Sequence, residues 1–177
     1  DPDECEADAA LRELHEELGL APGPDAILGT LDDYATQSGF RIRPFVAWVE
    51  DETTLAPDPR EVARIHRIPL AELASPTVPT LQAVSHSEQP TICLHLPSIG
   101  GTLHAPTGAI LYQFREVALA GRHTRVGHFA QPDQLSFRAA AHHQLAEIVR
   151  VGEAGGRAQG ELPRARFETA GRQFDVF

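Results

Sequence analysis

The chain has 177 residues, 15 cationic side chains against 25 acidic ones, a formal charge of -10 and a hydrophobic fraction of 42%. That is enough apolar material for the core of one globular domain, and no run approaches the roughly 18 apolar residues of a membrane helix. The negative balance argues against nonspecific nucleic-acid binding and against a membrane-surface role, because both need clustered cations.

All 15 cations are Arg, and Lys, Asn and Met are absent. A chain without Met is expected to have lost its gene-encoded start, so residue 1 reads as an internal position. No charged-then-apolar segment opens the sequence as a secretion signal would. Cys5 and Cys93 are far apart and have no Cys or His at zinc-ligand spacing. Both are expected to be reduced thiols of a cytoplasmic protein.

Residues 4–18 are expected to form a helix, since Ala7, Leu11, Leu14 and Leu18 recur at three- and four-residue steps. Asp1, Pro2 or Asp3 suits its N-terminal side; Gly19 suits a left-handed cap, and Pro22 and Pro24 prevent continuation. Strands are expected at 26–31 and 40–49, followed by a polar turn over 50–59. A third strand is expected at 61–68 and a short helix at 70–74, closed by Pro76. Residues 76–106 form a Pro/His-rich insertion that reads as an ordered loop or hairpin with one β-like stretch at 91–96. A helix at 107–120 should end at Gly121, and 134–151 has the pattern of another. These elements make one domain over 1–151, with 152–177 a Gly/Arg/Ala-rich, loosely ordered tail.

The stretch most informative for chemistry lies in the first helix. Glu13, Glu16 and Glu17 occupy i, i+3 and i+4, which places three carboxylates on one helical face. Like charges at that spacing repel by a few tenths of a kcal/mol per pair. Arg12 is the one cation at helix-compatible spacing, paired with Glu16, and one Arg cannot neutralise three acids. A hard divalent cation can, because Mg²⁺ takes oxygen ligands and commonly binds one or two carboxylates together with substrate phosphates.

These acids sit in a longer pattern: Glu4, seven residues, then Arg12, Glu13, Leu14, His15, Glu16, Glu17, Leu18, Gly19 and Leu20. This resembles the Nudix box, G-x5-E-x7-R-E-U-x-E-E-x-G-U with U aliphatic, and fills eight of its nine specified positions. The leading Gly falls upstream of Asp1. The resemblance implies an α/β fold, a Nudix-type α/β/α sandwich with a mixed sheet whose N-terminal strands are missing here. A chain extended upstream is expected to be more stable than these 177 residues.

The resemblance also implies metal-dependent hydrolysis of a nucleoside diphosphate linked to another moiety, with Mg²⁺ or Mn²⁺ as cofactor. Glu16 and Glu17 match the principal metal ligands, and Glu13 matches the residue that ligates metal or acts as base. Arg12 matches the residue that orients the glutamates, which makes Glu13, Glu16 and Arg12 the catalytic candidates. Glu4 matches the supporting acid, and Gly19 lets the chain leave the helix sharply. A catalytically silent Nudix-like module that binds a nucleotide or regulates a partner is the competing reading, and an inactive fragment is another.

Further along, residues 29–49 resemble the coenzyme A diphosphatase-like branch, with Gly-x-Leu-Asp, a Ser-Gly pair and a Pro-Phe-Val strand. Residues 59–73 resemble its Glu-Val strand leading to an aliphatic-Pro-Leu and a short helix. Many Nudix enzymes bring a further glutamate to the metal from this region, so Glu61 is either that ligand or an ordinary strand-edge acid. The segment at 104–114 departs from the branch, and the 76–106 insertion is longer than its pattern. Coenzyme A is therefore one substrate among ADP-ribose-like, dinucleotide and damaged-nucleotide alternatives. Partners are expected to be that small molecule, with no nucleic acid, no membrane, and a homodimer within the family's habits.

None of the nine histidines falls at i, i+4 on a firm helix, and surface positions are expected for them. The basic run at 121–125 either meets a phosphate or is a solvated loop. Tyr34, Phe40 and Trp48 are candidates to stack on an adenine, with core packing the expectation for Phe40 and Trp48.

Overall fold

The computed structural model describes residues 4–49, 55–132, 149–152 and 174–176. In chain order the elements are α1 (Glu6–Leu18), β1 (Ile27–Thr30), β2 (Tyr34–Ala35), β3 (Arg41–Ile42), β4 (Phe45–Trp48), β5 (His66–Pro69) and α2 (Leu70–Leu73). There follow β6 (Pro79–Val84), β7 (Ser87–Leu96), β8 (Gly101–His104), α3 (Thr107–Phe114), β9 (Val149–Gly152) and β10 (Phe174–Val176). Five strands form a mixed sheet in the order β1-β4-β10-β9-β5. The β5–β9 pair is parallel and the other pairs are antiparallel. Two smaller antiparallel sheets, β2-β3 and β6-β7-β8, complete an α/β fold.

Helix α1 follows its periodicity. Leu14 and Leu18 are buried while Glu13 and Glu16 face outward. It starts at Glu6 rather than at residue 4, and Cys5 rather than Asp1, Pro2 or Asp3 caps it: the Cys5 Sγ accepts from the Asp8 N–H at 3.4 Å. A thiol there takes one of the four N–H groups that a helix start leaves unpaired. Glu6 and Asp8 in the first turn complement the positive end of the helix dipole.

Two apolar cores hold the elements together. The larger gathers Val46, Ile68, Leu94, Leu111, Phe114 and their neighbours between the sheets and α3. The smaller is formed by Leu14, Leu18 and Leu20 with Val49 and Val62. Gly108 lets α3 dock closely, since a Cβ there would lie 2.7 Å from the Leu103 carbonyl oxygen. Past Phe114 the helix widens into a π-helical turn over Arg115–Leu119, and the buried Arg115 donates to the Leu73 carbonyl at 3.0 Å at the end of α2.

Several expectations change. Residues 61–65 are not strand; the chain turns there and the strand runs from His66 to Pro69. Val62 and Ile65 look like strand residues because they are apolar, but they pack on α1 instead. The 76–106 insertion holds a three-stranded antiparallel sheet, with β7 alone spanning ten residues. The helix expected at 134–151 lies mostly outside the described residues, and its last positions belong to β9. The tail expected to be loosely ordered likewise lies largely outside them, but Phe174–Val176 is a paired strand within the mixed sheet.

Candidate active site

The box residues divide into two groups on α1. Arg12 gathers the first: its Nε lies 3.0 Å from Glu4 Oε1, its Nη2 lies 3.2 Å from Glu4 Oε2, and its Nη1 lies 3.0 Å from Glu16 Oε2. Glu13 is nearby, 3.8 Å from the same guanidinium. The fork joins Glu4, in the segment before the helix, to Glu16 three turns on, an arrangement that one planar cation with five donors can make. Glu4 is held below the usual carboxylate range by its hydrogen bond to Arg12.

Glu17 forms the second group. It is half-buried, and burial pushes its carboxyl above the usual range; the negative charges of Glu13, Glu61 and Glu16 push it further. Glu61 comes from a different part of the chain, 44 positions after Glu17 in sequence. Its approach depends on how α1 ends.

Gly19 takes φ +70° and its N–H donates to the His15 carbonyl at 2.9 Å, closing the helix with a left-handed cap. The next carbonyls, which a helix end leaves unpaired, are met by the 55–62 loop: the Ala56 N–H donates to the Leu18 carbonyl and the Asp58 N–H to the Glu17 carbonyl, both at 2.8 Å. The chain then turns tightly, with the N–H groups of Glu61 and Val62 donating to the Asp58 carbonyl at 3.1 and 2.8 Å. The turn buries Val62 among Leu14, Leu18 and Leu20. Glu61, its neighbour, stays exposed.

Sequence reasoning found Glu13, Glu16, Glu17 and Glu61 by pattern but missed Asp58, whose role depends on a contact between distant segments. Its carboxylate accepts from the Arg60 N–H at 2.8 Å and from the Arg60 guanidinium at 3.0 Å. Those contacts hold it at about 2. The charged side chains that act on Glu17 are the carboxylates of Glu13, Glu61 and Glu16, oxygen ligands of the kind a hard cation takes. They do not close on a point: among the described residues no three His, Cys, Asp or Glu side chains converge tightly enough to enclose an ion.

A cleft of about 510 Å³ opens near the start of α1, lined among others by Cys5, Glu6, Thr30, Asp33, Arg43 and Phe45. Arg41 and Arg43 each bridge Glu6 to Asp33, tying β3 and its approach to the helix. Of the aromatic candidates, Trp48 follows expectation and Tyr34 and Phe40 do not. Tyr34 is 2% exposed, its hydroxyl donating to the Phe129 carbonyl at 2.7 Å, so it has no face for a base. Phe40, expected in the core, is 72% exposed at the turn between β2 and β3, and Trp48 packs against the main core. The basic run at 121–125 is engaged with acids: Arg122 pairs with buried Glu116 at 2.6 Å, and Arg125 lies 3.9 Å from Asp32. His15, His86, His95, His123 and His128 are exposed, while His66 and His104 are half-buried; His142 and His143 lie outside the described residues.

The NUDIX domain matches residues 1–87. The chain is 35% identical over 65 residues to a protein of Pectobacterium atrosepticum named Uncharacterized Nudix hydrolase NudL, a stretch covering 37% of this chain and 34% of that protein. Proteins of the same name from Yersinia enterocolitica (37% identical over 65 residues; 37% and 33% covered) and Enterobacter sp. strain 638 (34% over 64 residues; 36% and 33% covered) are also similar. The matched stretch is about a third of the length of these relatives. No solved structure matches. No described helix is long and apolar enough to cross a membrane. The box acids on α1 and the Glu61 turn behind them both lie inside the matched stretch, so residues 1–87 of this chain are a Nudix domain.

Proposed function

We propose that this chain hydrolyses the diphosphate bond of a nucleoside diphosphate linked to another moiety, using Mg²⁺ or Mn²⁺ held by Glu13, Glu16, Glu17 and Glu61. The observation that carries the reading is the position of Glu17. It is half-buried and pressed by three like charges from two segments of chain, while the contacts of Arg12 go to Glu4, Glu13 and Glu16. Such a cluster repels itself unless a cation joins it. An ion that keeps most of its waters needs only one or two of these carboxylates directly, so the open spacing of the acids suits Mg²⁺ better than a caged metal. A bound divalent ion would screen the diphosphate and lower the pKa of a water toward neutrality.

The chain's own residues do the rest. Glu13 and Glu16 are both exposed on the helix face, and in this reading one of them takes the proton from an attacking water. Arg12 fixes the Glu16 carboxylate and Glu4 anchors Arg12 from the other side. Coenzyme A leads the substrate list because residues 29–49 and 59–73 resemble the coenzyme A diphosphatase-like branch.

The test is a panel of diphosphates, including coenzyme A and ADP-ribose, assayed with Mg²⁺ and Mn²⁺ on wild type and Glu17→Gln. Metal-dependent release of phosphate-monoester products that vanishes in Glu17→Gln is the expected result; wild-type turnover in that variant overturns the assignment. Nucleotide binding by calorimetry without turnover across the panel would instead identify a catalytically silent module.

A further inference from the structure

We infer that Asp58 is the positioning residue of the candidate metal site: its carboxylate folds the turn that carries Glu61 onto the C-terminal end of α1, opposite Glu17. This rests on the reading of Glu17 and Glu61 as cation ligands. Three observations from different parts of the geometry meet at this residue. Its N–H donates to the Glu17 carbonyl at 2.8 Å, so the backbone of Asp58 is fixed to the residue whose side chain the cation would meet. Its own carbonyl accepts from the N–H groups of Glu61 and Val62, so it also begins the turn that presents Glu61. Its side chain accepts from the Arg60 N–H at 2.8 Å, two residues on, the short-range bond by which Asp mimics one leg of a turn.

The alternatives for this side chain are weaker. Arg60 is 84% exposed, so its ion pair with Asp58 contributes little to holding the loop. The backbone acceptor contact is the part that shapes the chain, and Val62, buried under α1, anchors the far end of the turn. A loop held at Glu17 on one side and at the small core on the other leaves Glu61 little freedom to move away. Residues that orient metal ligands from behind typically change metal affinity ten- to hundredfold when lost.

The experiment is direct titration of the full chain with Mn²⁺ alone, read by electron paramagnetic resonance of the free ion, with circular dichroism confirming the fold of each variant. Asp58→Ala should weaken Mn²⁺ binding about tenfold or more. Asp58→Glu, which keeps the charge but moves the carboxylate off the Arg60 N–H, should weaken it similarly, and carries the test if the Ala variant does not fold. Asp58→Asn keeps the short acceptor without the charge and should stay within about threefold of wild type, as should Arg60→Ala, which removes only an exposed ion pair. A simple loss of stability or of surface charge would not sort the variants in that order. Wild-type affinity in Asp58→Glu, together with weakened binding in Glu61→Gln, would overturn the role of Asp58 alone. Unchanged binding in Glu61→Gln would overturn the ligand assignment on which it rests.

Discussion

Replacing Gly19 with Ala tests the joint on which the candidate site is built. At φ +70° an L-residue costs about 1–2 kcal/mol. The added Cβ would also lie 2.8 Å from the Ala56 Cβ and 3.2 Å from the Ala56 carbonyl oxygen. Carbon atoms prefer about 3.5–4.0 Å, so the loop must back away from the helix, and overpacking of this kind costs about 1–3 kcal/mol. The two terms sum to about 2–5 kcal/mol of lost stability, measurable by urea denaturation of the full chain. Because the loop that retreats is the one carrying Asp58 and Glu61, metal-dependent turnover should fall with it. A double-mutant cycle separates the terms. Ala56→Gly removes the nearer of the two clashing atoms, so in the Gly19→Ala background it should recover about 1 kcal/mol or more, while the backbone strain remains. A Gly19→Ala variant within about 0.5 kcal/mol of wild type, or a cycle with no coupling, would refute the close approach of helix and loop.

Glu17→Gln should abolish turnover yet raise the stability of the metal-free protein at pH 7 by about 0.5 kcal/mol, by relieving like-charge repulsion; the gain should shrink in high salt. Since the folded state raises the Glu17 pKa, the wild type loses this contribution as pH rises, and the two proteins should converge below about pH 4, as denaturation midpoints across that range would show. Asp58 has the opposite sign. Held at about 2 by the Arg60 guanidinium and N–H, it contributes a stability, small because the ion pair is exposed, that is present above about pH 4 and lost between there and about pH 2, and Asp58→Asn should slightly flatten that part of the acid unfolding curve. Tyr34→Phe leaves the ring packed but removes the 2.7 Å bond to Phe129, which should cost about 1 kcal/mol in urea denaturation.

What the sequence revealed and what it concealed follow a physical line. Helix α1 was legible because its Leu spacing and its Gly19 stop are local signals, and the acids inside it were legible because their spacing is a helix-face argument. The short helix before Pro76 and the helical run from Thr107 to Leu119, followed by Gly121 at positive φ, follow the same logic. The failures occur where a long-range partner decides. Val62 and Ile65 read as strand until α1 is seen to cover them. Tyr34 reads as an available ring until Phe129, 95 positions away, takes its hydroxyl. The β6-β7-β8 sheet was half-hidden because its edge strand β6 is mostly exposed and carries little alternation. Within the site, Glu61 was reached only through resemblance, and Asp58 through neither pattern nor resemblance, because its carboxylate shapes a turn whose meeting with the helix end exists only in the folded chain.

That helix end also explains the spelling of the loop that meets it. Residues 56–59 read Ala-Pro-Asp-Pro. The N–H groups at 56 and 58 are the two that bond the α1 carbonyls, and the prolines stand at 57 and 59, the positions that donate nothing there. Each proline removes conformations from the unfolded chain without removing a needed donor. Moving the same four letters one residue toward the N-terminus would put proline at both donor positions, and moving them one residue the other way would put it at 58. The alternation therefore acts as a register mark: it permits one alignment of loop on helix, the alignment that brings Glu61 toward Glu17.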